Sequence, residues 1–158
     1  MHANCPAYTA YVDSQGTISR EELAALISRG EIDTVIVAFP DLQGRMVGKR
    51  FTGWFFLEEV ADHGAENCNY LIATDMDDNP IPGYRFASYE LGYGDMVSMP
   101  DWNTVRVLPW QTKTALVLTD LSHSTSHKPI HVSPRQVLLD QVARAGELGY
   151  TPMVGSEI

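Results

Sequence analysis

Residues 94–110 read GDMVSMPDWNTVRVLPW. Two apolar segments within this stretch, residues 96–99 and 104–108, have the length of strands. A third run follows at residues 114–121, and its continuous apolar composition is typical of a buried strand. The stretch therefore predicts a sheet in the second half of the chain, although no single side chain in it carries recognisable catalytic chemistry.

Outward from this stretch, the N-terminal part of the chain predicts a loose leader over residues 1–16 and a helix over residues 17–30. Ser19 and Glu22 have the spacing of a capping box, in which each side chain bonds an unpaired backbone amide. Gly30 ends the helix. The apolar face of this helix consists of Leu23, Leu26 and Ile27.

A hairpin is predicted next. Residues 32–39 form a continuous β-branched run, residues 40–45 contain a proline and a glycine that can reverse the chain, and residues 46–52 return. Residues 54–63 predict a short amphipathic helix closed by Gly64. Its apolar side chains are Phe55, Phe56, Val60 and Ala61.

The middle of the chain is less regular. Residues 70–73 are compatible with a short strand, whereas residues 75–93 are rich in Asp, Pro, Gly and Tyr and show no period. Long ordered loops in compact domains often carry function. A polar link over residues 123–132 separates this region from the C-terminal segment.

A final helix is predicted after Ser133, with Pro134 at its first position and Gln136 completing a second capping box. Gly149 ends the helix, and residues 151–155 start one more strand. The apolar face of the helix consists of Val137, Leu138, Val142 and Leu148. The order of helix, hairpin, helix and further strands predicts the α+β class, in which a mixed sheet grips a helix.

Composition excludes several classes of function. The chain of 158 residues carries 11 basic and 20 acidic side chains, a net charge of −9 that repels nucleic acid. No apolar run approaches the roughly 20 residues of a membrane helix, and the N-terminus does not have the pattern of a signal peptide. Cys5 and Cys68 lie far apart, so a reduced, cytoplasmic setting is favoured over a disulfide.

Four segments together resemble the glutamine synthetase family: residues 39–50, 92–110, 114–118 and 133–157. Their order and spacing are more specific than any one of them. Residues 71–93 depart from the ammonia-using enzymes and are similar to the branch that joins glutamate to amines such as polyamines or ethanolamine. The resemblance implies a β-grasp domain over residues 31–122 and the start of a catalytic domain over residues 133–158, truncated after Ile158.

The same resemblance implies an activity. In the family, ATP activates the glutamate side chain as a γ-glutamyl phosphate, and ammonia or an amine displaces the phosphate. Mg²⁺ or Mn²⁺ neutralises the transferred charge. The active site lies between subunits of a homo-oligomeric ring, where the N-terminal domain of one subunit closes the site of its neighbour. Most of the catalytic domain falls outside this sequence, so the chain alone is expected to be inactive.

Asp41 is the predicted catalytic residue. The resemblance places the matching carboxylate at the intersubunit site, where it holds the incoming ammonium or amine and can accept its proton. The alternative is structural, since an aspartate in a Pro-Asp-x-x-Gly turn bonds its own backbone.

Glu157 matches the first glutamate of the family's metal-binding Glu-x-Glu strand. The second glutamate would follow Ile158, so the metal site is incomplete and the alternative is a solvated side chain. Residues 75–79 begin like a calcium loop, but Pro80 and Phe86 occupy the positions that need Gly and Glu. A solvated acidic loop is favoured there over a lip facing the amine of a neighbouring subunit.

For the histidines of the polar link and for the tryptophans, structural roles are favoured over functional ones. His123, His127 and His131 recur every four residues, but Pro129 favours a linker over a metal site. The tryptophans are expected to be packing residues, with the third also a candidate subunit contact: Trp54, Trp102 and Trp110. The two function classes that remain are part of a glutamate–amine ligase and a non-enzymatic β-grasp interaction module.

Overall fold

The computed structural model describes residues 16–155 and residue 157. The helices are α1 (Arg20–Ser28), α2 (Gly53–Phe55), a π-helix (Phe56–Val60), α3 (Ala61–His63) and α4 (Pro134–Glu147). The 3₁₀ turns are Asn69–Ile72 and Trp102–Thr104. The strands are β1 (Thr34–Pro40), β2 (Met46–Thr52), β3 (Ala65–Cys68), β4 (Asp95–Pro100), β5 (Arg106–Val107) and β6 (Thr114–His123).

The strands form one mixed sheet in the order β2-β1-β6-β4-β3, and β5 pairs with β6. β1 and β2 are an antiparallel hairpin, with Phe39 opposite Val47. β1 and β6 are parallel, with Val37 opposite Val117. β6 then pairs with β4 in the antiparallel sense. The α+β class predicted from the element order is therefore observed.

One face of the sheet is covered by helices. Because side chains alternate along a strand, Val35 and Val37 of β1 point to the same face as Val117 of β6, and all three are buried. Leu23 of α1 and Phe56 of the π-helix pack into the same cluster. At about 25 cal/mol per Å² of apolar surface, this contact is the main stabilising term of the fold.

A second cluster lies toward the other end of the sheet. Its fully or nearly fully buried members are Phe39, Ile72, Met96, Leu121 and Ile130. Phe39, Met96 and Leu121 belong to strands, whereas Ile72 and Ile130 belong to the segments that follow β3 and β6, so the second cluster ties these two segments to the sheet.

Glycines delimit the helical segment over residues 53–63. A Cβ on Gly53 would lie 2.9 Å from Ile27 of α1, so glycine allows the two helices to approach closely. Gly64 has φ +76°, and it ends the segment as predicted. The π-helix adds one residue per turn, a feature often found at functional sites.

Three strand predictions differ from the structure. The strand in the middle of the chain is β3, whereas residues 70–73 overlap a 3₁₀ turn, because Ala73 N–H bonds the Tyr70 carbonyl. Only Arg106–Val107 of the expected strand at 104–108 pairs with β6. Residues 151–155 belong to no strand.

Both capping boxes differ from expectation. Ser19 accepts from the Glu22 amide as predicted, but the described residues show no bond from the Ser19 amide to the Glu22 carboxylate. The pKa of the neighbouring Glu21 carboxyl is lowered, first by its own backbone amide and then by the Ser19 hydroxyl. The Ser133 hydroxyl is buried without a partner among the described residues. The Gln136 side chain donates to Asp140 and so does not reach back to the Ser133 amide, as a capping box would require.

α4 is attached to the sheet at its first turn. Arg135 donates to Asp101 at 2.6 Å and to Asp120 at 3.0 Å. Burial disfavours the charged guanidinium, yet these carboxylates raise the pKa of Arg135 above its usual value. Farther along, Val137 and Leu138 are exposed, so the apolar face of α4 has no cover in the described part of the chain.

Candidate site at the hairpin loop

The candidate site is built on the loop between β1 and β2, where Asp41 lies. Its side chain is fully buried. Oδ1 accepts from the backbone amides of Gln43 at 2.8 Å and Arg45 at 2.9 Å, and Oδ2 accepts from Arg45 Nε at 2.8 Å. This arrangement matches the structural alternative for Asp41, in which the aspartate stabilises its own turn by bonding backbone amides. A contact between Asp41 and a ligand stays a prediction.

Arg45 extends the site to a second loop. Its Nη2 donates to Thr74 Oγ1 at 2.7 Å, and its Nη1 donates to Asp78 Oδ1 at 3.1 Å. The hydrogen bond to Asp41 raises the pKa of the Arg45 guanidinium above its usual value, with smaller contributions from Asp78. A planar guanidinium can serve three acceptors at once because its donors point in fixed directions.

The second loop spans residues 74–80, and its own bonds give it a defined shape. Thr74 and Pro80 form a β-bridge that closes it. Asp75 Oδ1 accepts from the amides of Asp77 and Asn79, both at 2.9 Å. The Asn79 amide, followed by that of Asp77, lowers the pKa of the Asp75 carboxyl. The expected acidic loop is thus ordered by its first aspartate.

The two loops also meet through their backbones. Leu42 N–H donates to the Ile72 carbonyl at 3.0 Å, and Gln43 Nε2 donates to the Thr74 carbonyl at 3.3 Å. The surface they form contains more carboxylates than cations, because Asp75, Asp77 and Asp78 lie on it with Arg45 as their one cationic neighbour among these loop residues, and Arg45 is also bonded to the buried Asp41. Such a surface favours cationic over anionic ligands.

The other predicted site residues lie elsewhere. Glu157 is exposed, and no group of three or more His, Cys, Asp or Glu in residues 16–155 and 157 could hold a metal ion. The three histidines of the polar link form no such group either. Cys68 is half-buried and has no disulfide, whereas Cys5 and the leader lie outside the described residues. None of the described helices is both long and apolar enough to cross a membrane.

The packing prediction for the tryptophans is correct for one of the three. Trp102 packs edge-on against Phe56 and lies under the Arg20 guanidinium, 4.9 Å from its ring centre. Trp54 is 60% exposed and Trp110 is 77% exposed, so neither is a core residue of this chain.

Sequence reasoning found Asp41 and the acidic loop but not the residue that joins them. Arg45 is separated from Thr74 by 29 positions and from Asp78 by 33. Periodicity and local motifs carry no information about such a contact. The sequence did contain one related signal, the excess of turn-forming side chains, which marks both segments as loops but does not show that they meet.

No family model matches the chain. It is 49% identical over 138 residues to the gamma-glutamylethanolamide synthetase of Streptomyces coelicolor, covering 87% of this chain and 30% of that protein. It is 35% identical over 124 residues to the glutamate–isopropylamine ligase of a Pseudomonas species, covering 78% of this chain and 27% of that protein. The chain thus spans less than a third of the length of these relatives.

Solved structures agree on the fold. The chain matches the structure of GmaS without ligand with a TM-score of 0.60 and 22% identity, covering 80% of this chain and 26% of that one. The ADP complex of GmaS gives a TM-score of 0.59. At this identity the match concerns the fold alone.

Proposed function

This chain is a homologue of members of the glutamine synthetase family, and on that premise we propose that it supplies part of an ATP-dependent ligase that joins glutamate to an amine. The observation that carries the proposal is the 49% identity to a gamma-glutamylethanolamide synthetase. A second relative, at 35% identity, is also named for glutamate and an amine.

The reaction follows from the chemistry of the two substrates. A glutamate carboxylate does not react with an amine directly, because oxide is a poor leaving group. Transfer of the terminal phosphoryl group of ATP to a carboxylate oxygen gives an acyl phosphate and ADP. The amine nitrogen then forms the C–N bond, the C–O bond to phosphate breaks, and the nitrogen loses a proton.

The contribution we assign to the chain is a wall of the site. In this proposal residues 31–122 form a β-grasp domain that closes the active site of a neighbouring subunit. The mixed sheet and the helices on one face support it. In the same proposal, the hairpin loop and residues 74–80 lie beside the active site of the neighbouring subunit. Their excess of carboxylates suits a cationic amine, and direct contact with Asp41 would require its bonds to the loop amides to break.

Residues 133–158 belong to the next domain in this proposal. The exposed apolar side chains of α4 support the assignment, because packing against such a domain would bury Val137 and Leu138. A cytoplasmic ring is the assembly that the family implies.

The second candidate is a non-enzymatic interaction module with the same fold. It is favoured by the same exposed face of α4, which a partner protein could cover equally well.

The coding sequence downstream of Ile158 distinguishes the two. The ligase proposal expects an in-frame glutamate at position 159, two residues after Glu157, since alternate residues of a strand share a face and can bind the same metal. It also expects a reading frame long enough for the rest of the relatives' length. Unrelated sequence after Ile158 would contradict the ligase and support the module.

A further inference from the structure

We propose that Arg45 is a positioning residue that clamps residues 74–80 onto the hairpin loop. The inference deepens the proposed function, because it names the side chain that holds the acidic loop in place beside the proposed active site. Its consequence for a ligase rests on that proposed function. The clamp is a property of the folded chain and can be tested without catalysis.

The geometry of the guanidinium carries the first step. Each of its three nitrogens has a different acceptor: Nε bonds Asp41, Nη2 bonds Thr74 and Nη1 bonds Asp78. One acceptor lies in the hairpin loop and two lie in the second loop. A lysine has a single nitrogen on a flexible chain and cannot reproduce this fork.

The direction of the clamp follows from burial. Asp41 is fully buried and is itself fixed by the amides of Gln43 and Arg45, so it anchors the base of the arginine side chain. Thr74 is also buried, whereas the Asp78 side chain is 79% exposed. Exposed ion pairs contribute little, so the bond to Thr74 is the strong arm of the clamp and the pair with Asp78 is the weak one.

The second loop has a reason to need the clamp. Asp78 has φ +64°, in the left-handed region that glycine adopts freely and that aspartate tolerates at a smaller cost than most other residues. The bonds accepted by Asp75 hold the turn together from within. The Arg45 bonds hold the turn against the rest of the molecule.

Amide hydrogen exchange of the full chain, followed by NMR, tests the clamp. The variant is Arg45→Met, which keeps the length of the side chain and removes all three donors. The matched control is Arg50→Met, an exposed arginine in β2 for which the described residues provide no ion pair. We expect the amides of residues 77–79 to exchange about tenfold faster in Arg45→Met, as for a local opening. The amides of residues 35–39 and the control should keep the parental rates.

Two further variants complete the test. Thr74→Val removes the strong arm with little change of shape and should speed the same three amides, which decides the matter if Arg45→Met fails to fold. Arg45→Lys should give intermediate rates. Unchanged rates at residues 77–79 in Arg45→Met and Thr74→Val would overturn the clamp. An equal increase in the loop and in residues 35–39 would also overturn it, because the arginine would then be a general stabilising residue.

Discussion

At the scale of single residues, Asp41 was predicted to be catalytic, and in the structure its carboxylate forms the hydrogen bonds that shape the hairpin loop. A buried carboxylate is stable only when its oxygens are bonded. Asp41 meets this requirement within four residues of its own position, through Gln43 and Arg45. Any function of the carboxylate in a ligase therefore acts on, or through, the conformation of the hairpin loop.

Replacing Asp41 should destabilise the fold. Asp41→Ala leaves two amides and a guanidinium without their acceptor, and we expect the free energy of unfolding to fall by about 3 kcal/mol. Asp41→Asn keeps one oxygen for the amides and should cost roughly half as much. Urea unfolding measures both, with Asp77→Asn as the exposed control. A change of less than about 0.5 kcal/mol in Asp41→Ala, the range of ordinary surface substitutions, would contradict the buried geometry.

Gly48 provides a second test at this scale. A Cβ at this position in β2 would lie 2.0 Å from the Val37 carbonyl oxygen, so the strands must separate to admit it. We expect Gly48→Ala to lower the free energy of unfolding by about 2 kcal/mol or more. At Gly94 the nearest atom would be 3.7 Å away. Gly94→Ala should therefore be close to neutral in the same urea experiment, and equal effects of the two substitutions would be evidence against the strand packing described.

At the scale of elements, the sequence predicted those strands and helices whose formation depends on local sequence patterns. β1 and β6 were recognisable because their apolar runs are long, and β2 and β4 were recognisable because turn residues precede them. The 3₁₀ turn Asn69–Ile72 and the π-helix were not recognisable, since segments of four and five residues are too short for a period to be read. The contact of Arg45 with Thr74 depends on the whole sheet and has no local signal.

The acidic loop should contribute to acid sensitivity. The pKa of Asp75 in the folded chain is below its ordinary value of 3.8, mainly because of the Asn79 amide. The resulting stabilisation is fully present above that ordinary value and is lost as the pH falls through the lower folded pKa. We expect Asp75→Asn to reduce the loss of stability between pH 5 and pH 2, measured by urea midpoints. A loss as large as that of the parent chain would show that the carboxylate has no such role.

α4 should be the least protected long element. Its first turn is fixed by Arg135, but Val137, Leu138 and Leu148 are exposed. In a dilute monomer, we expect the amides of residues 137–147 to exchange at least about tenfold faster than those of residues 35–39, which belong to the buried strand β1.

The attachment of α4 has its own variant. Arg135→Met removes both bonds to the sheet and should speed exchange in the first half of α4 further. Arg144→Met, near the far end, should not. Protection of residues 137–147 equal to that of β1 in the parent chain would indicate that the helix docks on the sheet and needs no further partner.

At the scale of the whole molecule, the chain spans 30% of the length of the first relative and 27% of the second. The described residues contain no cluster that could hold the metal ions of the reaction. We expect the isolated chain to release no phosphate above background from ATP with glutamate and a panel of amines. Turnover that persists through further purification would contradict this expectation.

The most direct test of the central claim is the turnover of a graft. In the graft, the matching residues of this chain replace their 138-residue counterpart in the gamma-glutamylethanolamide synthetase of Streptomyces coelicolor. The measurement is phosphate release that depends on ATP, glutamate and ethanolamine together. If this chain supplies a wall of a glutamate–amine ligase site, the graft should turn over within about a hundredfold of the parent, the usual cost of a misplaced supporting contact. A folded graft with the parent's subunit composition and no turnover would contradict the claim.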